Sequence, residues 1–217
     1  MTDRSLYQEL RSIMDETGHQ EIQARDYIEY AKDLFVDETP LEFFDLRVEY
    51  PTTNGGIDLL VPCLLEDDAG IQTRVVYVWE IKSPQTHIFC KDNNNRVKPT
   101  KELSKAENQL LHYFEECKQN QQFRTEFQIT DPENVRLGGI LIGKKETLVL
   151  PNQSYSEDHK KALYNKACNY RVKHFYRPSG IKLLTWDKVL NQLIDVAVEP
   201  SETGQLSGIS IVASDED

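Results

Sequence analysis

The sequence predicts an α/β fold in which helices flank a mixed, largely antiparallel central sheet. Three observations carry this prediction: helical segments open the chain, three strands then follow one another across short turns, and a long helix precedes another buried strand. With 217 residues the chain is long enough for one domain with a substantial core. We therefore expect a single domain over residues 1–198 and an acidic, flexible tail over residues 199–217.

The expected elements are helices with an apolar stripe and strands with alternating or continuous apolar residues, separated by turns rich in Gly, Pro, Asn and Asp. They are helices over 4–16 and 20–36, a strand over 42–50, a strand carrying Asp58 between turns at 51–56 and 66–70, a strand over 74–82, a polar loop over 85–99, a helix over 100–116, a strand over 137–143, a basic helix over 156–173, a strand over 181–184 and a helix over 186–198. Residues 209–212 are a candidate edge strand in the tail.

Charged residues interrupt the apolar run of the 74–82 strand at its end, as Glu80-Ile81-Lys82. Because successive side chains of a strand point to opposite faces, Glu80 and Lys82 share one face and Ile81 lies on the other. Charges at this position are costly to bury unless they are paired or bind a metal. Asp58 on the preceding strand is a candidate to join them. The alternative is an ordinary ion pair at a strand end, with Asp58 as a turn residue.

These residue types suit a divalent metal and the hydrolysis of a phosphodiester. The carboxylates of Asp58 and Glu80, with the carbonyl of Ile81, offer the hard oxygen ligands that Mg²⁺ or Mn²⁺ prefers. A bound metal would lower the pKa of a water and offset charge on the scissile phosphate. Lys82 would then orient or deprotonate the attacking water, or neutralise the transition state.

The helix over 100–116 carries Gln109 and Tyr113, four residues apart and therefore on one face. The Gln109 amide both donates and accepts, and Tyr113 adds a ring and a hydroxyl, so the pair could reach the carboxylates or a nucleic-acid backbone. The alternative is a core-facing Tyr113 beside a Gln109 that faces solvent.

The segments Gly56-Ile57-Asp58, Val78-Trp79-Glu80-Ile81-Lys82 and Gln109-Leu110-Leu111-His112-Tyr113 together resemble the PD-(D/E)XK nuclease superfamily. The last segment is similar to the Q-h-x-x-Y motif of its RecB-like members. With Ser83-Pro84 and the glycine-containing run 138–143, the pattern resembles more narrowly the nuclease domain of the Shedu antiphage defence family. Ile57 is a departure, since it stands where the superfamily motif has proline.

This resemblance implies a restriction-endonuclease-like core and metal-dependent cleavage or nicking of DNA. It also implies that Asp58, Glu80, Lys82 and Gln109 take part in the chemistry. An acidic residue of the second helix often assists the metal in this superfamily, and Glu21 and Glu29 are the candidates here.

Charge is distributed unevenly along this chain, whose net charge is −11. Residues 1–68 hold 17 acidic and 5 basic residues, whereas residues 82–105 hold 6 basic and 2 acidic and residues 144–188 hold 10 basic and 4 acidic. DNA binding depends on the local field rather than on the sum. The predicted DNA contacts are Lys98, Lys101, Lys105, Tyr113, Lys160 and Lys161. The alternative for each lysine is a solvated surface position.

The cysteines and the hydropathy point to an intracellular compartment. Cys63, Cys90, Cys117 and Cys168 lie far apart without a C-x-x-C pair, which favours reduced thiols over structural zinc or disulfides. The sequence contains no apolar run of membrane-spanning length and no signal peptide. We therefore expect a cytoplasmic protein with no membrane partner.

Together these observations predict a Mg²⁺-dependent or Mn²⁺-dependent DNA endonuclease or nickase. Two further classes stay open: a binding module of the same fold whose chemistry is idle or gated, and an acidic interaction protein with an incidental Glu-x-Lys sequence. DNA is the expected partner. A homo-oligomer (dimer or tetramer) or a regulatory partner is also compatible with the sequence.

Overall fold

The computed structural model describes residues 3–18, 20–53, 55–94, 96–150 and 155–196. The α-helices are α1 (Asp3–Asp15), α2 (Glu21–Arg25), α3 (Lys101–Gln119), α4 (Gln121–Glu126), α5 (Glu157–Ala167) and α6 (Trp186–Val196). The strands are β1 (Glu42–Phe43), β2 (Arg47–Thr52), β3 (Gly55–Glu66), β4 (Gln72–Ile81), β5 (Phe89–Lys91), β6 (Val97–Pro99), β7 (Val135–Leu141) and β8 (Lys182–Leu184). Three 3₁₀ helices (Ile28–Phe35, Pro132–Asn134 and Lys145–Thr147) and a π-helix (Cys168–Tyr176) complete the described elements.

A six-stranded mixed sheet forms the centre of the molecule. Both β1 and β2 pair antiparallel with β3, and β3 pairs antiparallel with β4. The strands β4, β7 and β8 then continue the sheet in parallel. Separately, β5 and β6 form a small antiparallel ribbon. The predicted mixed sheet flanked by helices is confirmed.

Two apolar cores cover the two faces of this sheet, because β3 and β4 alternate their side chains between them. On one face, side chains such as Val61, Tyr77 and Ile81 pack with α1, α6 and the 3₁₀ helix that ends at Phe35. On the other face, side chains such as Val76 and Val78 pack with α3. The two-sided burial explains why the 74–82 segment reads as an almost continuous apolar run.

Two of the element predictions in the N-terminal third are wrong. The expected helix over 20–36 is split into α2 and a 3₁₀ helix, and Ala31 inside the latter has the non-helical angles φ −131° and ψ 23°. The expected strand over 42–50 is split into β1 and β2, which pair with different parts of β3. Pro62 of β3 lies opposite the break and has no amide hydrogen to continue the ladder.

Two later predictions also need correction. The segment 85–99 is not simply a loop, because it contains the β5–β6 ribbon, whose turn is closed by Asp92 accepting from the backbone N–H of Asn94 and of Arg96, both at 2.8 Å. The expected basic helix over 156–173 becomes α5 followed directly by the π-helix, which extends to Tyr176. The predicted tail and its candidate strand at 209–212 lie outside the described residues.

The four cysteines, all within the described ranges, are free thiols, as expected. Burial raises the pKa of Cys63 to about 11 and that of Cys117 to about 12. No helix in the described part of the chain is long and apolar enough to cross a bilayer.

Candidate functional site

The antiparallel pairing of β3 with β4 brings Asp58 next to Glu80. The described ladder ends at the pair Leu59 and Trp79, and one more step in the same register places Asp58 opposite Glu80. Beyond that point the N–H of Ile81 donates to Asp58 Oδ2 at 2.9 Å. A side-chain carboxylate therefore takes the position of a strand carbonyl, which fixes Asp58 against β4.

Glu80 is a buried acid with one oxygen unsatisfied. It continues the alternation of Val76 and Val78, whose side chains face α3, and only 1% of the residue is exposed. Its Oε2 atom is buried without a hydrogen-bond partner. Burial, together with the nearby charge of Asp58, raises the pKa of Glu80 from its ordinary value of 4.5 to about 8. A buried carboxylate oxygen left unpaired is costly and is a position that a cation would satisfy.

The Lys82 ammonium lies at the centre of this group. It donates to Glu80 Oε1 and to the carbonyl of Ile81 at 3.1 Å, and it lies 3.5 Å from Asp58 Oδ2. Burial lowers the pKa of Lys82, but the charges of Glu80 and Asp58 outweigh this effect, so that this pKa lies above its usual value. Trp186 anchors the Lys82 backbone, since its indole donates to the Lys82 carbonyl at 2.8 Å.

Arg25 from α2 contacts the outer oxygen of Asp58. Its guanidinium lies 3.5 Å from Asp58 Oδ1, 2.6 Å from Glu21 and 2.9 Å from Glu49, with 10% of the side chain exposed. Burial lowers the pKa of Arg25, but its carboxylate partners raise this pKa above the ordinary value. The guanidinium therefore stays charged and contacts the Asp58 oxygen that does not face Lys82.

The strand segment beside Asp58 has an unusual backbone. Glu49 of β2 has φ +52°, in the left-handed region that non-glycine residues rarely adopt. The β2–β3 pairs run from Val48 with Leu59 to Tyr50 with Ile57, so Glu49 is the residue that lies across from Asp58. This conformation directs Glu49 to Arg25, and conformations of this kind cluster at functional sites.

The oxygens of Asp58, Glu80 and Ile81 fit a divalent cation. All three surround one ammonium nitrogen, so they converge on a position that already holds positive charge. Carboxylate and carbonyl oxygens are the ligands that Mg²⁺ and Mn²⁺ prefer. Among the residues whose placement is described, no three His, Cys, Asp or Glu side chains form a ready metal site. A metal here would therefore depend on the Ile81 carbonyl.

Gln109 and Tyr113 of α3 occupy different environments. Tyr113 is buried, and its hydroxyl would lie 2.7 Å from a Cβ added to Gly55, which has φ +150°. Only glycine fits at the start of β3, so this contact holds α3 against the strand that carries Asp58. Gln109 Oε1 is buried without a partner. No hydrogen bond between Gln109 and Asp58 or Glu80 is found in the described structure.

The predicted DNA-contacting lysines lie on two surfaces. Lys98, Lys101 and Lys105 are exposed, and the last two line a shallow depression of about 580 Å³ together with Gln109 and Tyr113. Lys160 is paired with Glu157 at 2.7 Å. Lys160 and Lys161 line a cavity of about 780 Å³ whose lining also includes four acidic residues: Glu146, Glu157, Asp158 and Asp187. The first surface has the more positive local field.

Comparison with known protein families identifies a matching family. The profile of the family described as "Shedu protein SduA, C-terminal" matches residues 18–190 of the 217. The chain belongs to this family. Membership of the Shedu family points to a role in antiphage defence. No curated protein matches the chain significantly.

Within this Shedu-family chain, Arg25 and Glu49 are the site neighbours that the sequence did not reveal. Nothing in the sequence places α2 beside Asp58, since the two are joined only through the tertiary fold. Of the two candidate acids of the second helix, Glu21 binds Arg25 and so lies beside the carboxylates. Glu29 is paired with Lys32 at 3.5 Å on the surface, with 57% of its side chain exposed.

Proposed function

We propose that this Shedu-family chain is a metal-dependent DNA endonuclease or nickase on a restriction-endonuclease-like PD-(D/E)XK core. The observation that carries the proposal is the convergence of Asp58, Glu80 and the Ile81 carbonyl around one cation, with a buried Glu80 oxygen left unpartnered. Structural ion pairs satisfy their buried oxygens. A buried carboxylate at a strand end that lacks a hydrogen-bond partner for one oxygen is instead typical of a ligand-binding site.

Asp58, Glu80 and the Ile81 carbonyl would hold Mg²⁺ or Mn²⁺. When bound, the ion would lower the pKa of a water and offset negative charge on the scissile phosphate. Arg25 would orient Asp58 for this role through its contact at 3.5 Å. The ladder-closing bond from the Ile81 N–H fixes the other Asp58 oxygen.

Lys82 is the residue that would handle the water or the phosphate. Its ammonium bonds to the same oxygens that would hold a metal, so part of its donor capacity would be free in the metal-loaded site. The released N–H groups can orient a water or neutralise a phosphate oxygen within the same site. Its side chain is 15% exposed, which leaves access to a substrate.

DNA would approach along α3. Lys101 and Lys105 border the depression that Gln109 and Tyr113 also line, and such cations are suited to successive phosphates. We expect Lys101→Glu and Lys105→Glu each to reduce the salt dependence of DNA binding by about one unit of log-log slope. The exposed Lys188 of α6 gives a control, because Lys188→Glu should leave the slope unchanged. If the salt dependence of DNA binding has the same slope in all variants, this surface does not contact DNA.

The direct test is cleavage of supercoiled plasmid by the purified protein in a Mg²⁺ titration, with Mn²⁺ binding followed by calorimetry. We expect metal-dependent nicking or linearisation that EDTA abolishes. Asp58→Asn should lose both cleavage and Mn²⁺ binding. Asp68→Asn, in the exposed turn between β3 and β4, should keep both. A wild-type protein that binds no Mn²⁺ at millimolar concentration would contradict the proposal.

One observation favours a second candidate, a gated or idle binding module of the same fold. The Lys82 ammonium already contacts all three oxygen groups, so the site holds a cation of its own without a metal. The calorimetry separates the two candidates. DNA binding without Mn²⁺ binding supports the module, whereas Mn²⁺ binding that appears only with DNA or a partner supports gating.

A further inference from the structure

The π-helix Cys168–Tyr176 presents aromatic rings to solvent. Tyr170 is 72% exposed and Phe175 is 41% exposed, in a chain whose other large rings are mostly buried. His174 between them is also exposed. Exposed aromatic side chains that lie close together mark binding sites more often than single exposed apolar residues do.

The π-helical hydrogen-bond pattern favours placing Tyr170 and Phe175 on one side of the helix. Its hydrogen bonds join residues five apart, as in the bond from the Arg177 N–H to the Val172 carbonyl at 3.0 Å. In this geometry, side chains five positions apart, such as Tyr170 and Phe175, lie near the same stripe. An α-helix would place them on different faces. π-helical turns are rare and occur frequently at functional sites.

A buried network holds the π-helix against α3. Arg171 binds both oxygens of Glu107, at 3.0 and 2.5 Å, and the Tyr176 hydroxyl donates to the same carboxylate. The Arg171 guanidinium also lies over the Phe175 ring, 4.9 Å from its centre. The exposed ring is therefore held in place on its inner side, so it would lose little freedom when a ligand stacks on it.

The sequence around these rings is rich in basic residues. Residues 159–186 contain seven Lys or Arg and no Asp or Glu, although the whole chain carries a net charge of −11. Lys166, Lys173 and Arg177 on α5, the π-helix and the residue after it are exposed. Aromatic rings interspersed with cations are the surface that single-stranded nucleic acid recognises, because bases stack while phosphates pair with charge.

We propose that Tyr170, His174 and Phe175 form a stacking platform for unpaired nucleotides of DNA, with Lys166, Lys173 and Arg177 contacting the phosphates. Bases in a duplex are already stacked and offer only their edges, whereas a frayed end or displaced strand offers its base faces. The proposal deepens the proposed function, on which it rests, by naming DNA with a single-stranded segment as the substrate class.

Binding measured without cleavage tests the platform separately from the nuclease proposal. Fluorescence anisotropy with labelled oligo(dT) and with a blunt duplex is recorded in EDTA. We expect tighter binding of the oligonucleotide. Tyr170→Ala and Phe175→Ala should each weaken it on the order of tenfold, and Tyr170→Phe should retain it, because stacking uses the ring. Tyr30→Ala is the matched control, since Tyr30 is a 47% exposed tyrosine in the N-terminal 3₁₀ helix.

The platform would be overturned by unchanged oligonucleotide affinity in both alanine variants. Equal losses of affinity for the oligonucleotide and the duplex, or an equal loss in Tyr30→Ala, would overturn it too. Competition by poly-glutamate as effective as that by oligo(dT) would also overturn it, in favour of an acidic protein partner. Melting curves check that the variants are folded, and Tyr170 is exposed enough that its substitution leaves the core untouched. If the protein binds oligo(dT) through these rings but never cleaves DNA, the result would support the stacking platform and contradict the proposed nuclease activity.

Discussion

Two buried glutamates on the same side of the sheet differ in how their charge is satisfied. Glu107 of α3 is 8% exposed, and its oxygens accept from Arg171 and from Tyr176. Glu80 of β4 is 1% exposed, and one of its oxygens has no partner. The first site is internally complete, whereas the second is incomplete.

The difference separates a structural role from a functional one. A bidentate Arg–carboxylate pair with an added hydroxyl satisfies nearly all the hydrogen-bonding capacity of the acid, which fixes the π-helix on α3. Glu80 has only the Lys82 ammonium, and its burial therefore raises its pKa to about 8. Proteins leave buried polar groups without full hydrogen bonding mainly at functional sites. The contrast predicts which substitutions should alter activity and which should alter stability.

The largest expected effect is on cleavage. Glu80→Ala and Lys82→Ala should lower Mg²⁺-dependent plasmid cleavage by a factor of about 1,000 or more, on the order of 4 kcal/mol of barrier, while the fold stays intact. Circular dichroism checks the fold. The paired control is Glu107→Gln, which should retain cleavage at temperatures where it is folded. Cleavage by Glu80→Ala at the wild-type rate would make the site assignment wrong.

The next effect is on stability, for which Glu107 should matter more than Glu80. Glu107→Ala leaves the Arg171 charge unpaired, and we expect a loss on the order of 3 kcal/mol in the free energy of unfolding. Glu80→Gln, by contrast, should be neutral or stabilising in the absence of metal, because it removes an ionisable group whose charged form is disfavoured by burial. Urea denaturation in EDTA measures both. A larger loss in the free energy of unfolding for Glu80→Gln than for Glu107→Ala would contradict the assignment of Glu107 as the structural acid and Glu80 as the functional one.

The pH dependence of stability should also separate the two acids. The Glu80 pKa is raised on folding, from its ordinary value of 4.5 to about 8. Its protonated form is therefore favoured in the folded state, and the stability this gives is complete below pH 4.5 and is lost as the pH rises through about 8. We expect the melting temperature of the wild-type protein in EDTA to fall as the pH rises toward about 8. The Glu80→Gln variant should lack the part of this fall that comes from Glu80. Identical pH profiles for wild type and Glu80→Gln would show that folding does not raise the Glu80 pKa, and would contradict this prediction.

The smallest effect concerns Gln109, two residues from Glu107 on α3. Its Oε1 atom is buried without a partner, as is Oε2 of Glu80, so we expect a functional role for the Gln109 amide. Gln109→Ala should lower turnover by about tenfold, leave Mn²⁺ binding unchanged and cost little stability. Single-turnover cleavage and calorimetry measure these quantities. Weakened Mn²⁺ binding would instead make Gln109 part of the metal site.

The sequence predicted the sheet and the charged strand end because these depend on local pattern. The apolar run before Glu80, the alternation that puts Lys82 on the same face, and the helical spacing of Gln109 and Tyr113 all follow from strand and helix periods. The structure places Glu80, Lys82 and Asp58 in contact. Whether these residues bind metal and cleave DNA stays a prediction.

Only the tertiary structure decided which distant residues meet. Arg25 reaches Asp58 across 33 positions and Arg171 reaches Glu107 across 64, and no local periodicity relates residues so far apart. The change from α-helix to π-helix after Ala167 and the division of the expected 20–36 helix into α2 and a 3₁₀ helix do not follow from the apolar spacing either, because tertiary packing can override helix propensity. A chain's local periods specify its elements and their faces. The satisfaction of each buried charge depends on contacts that form only when those elements pack together.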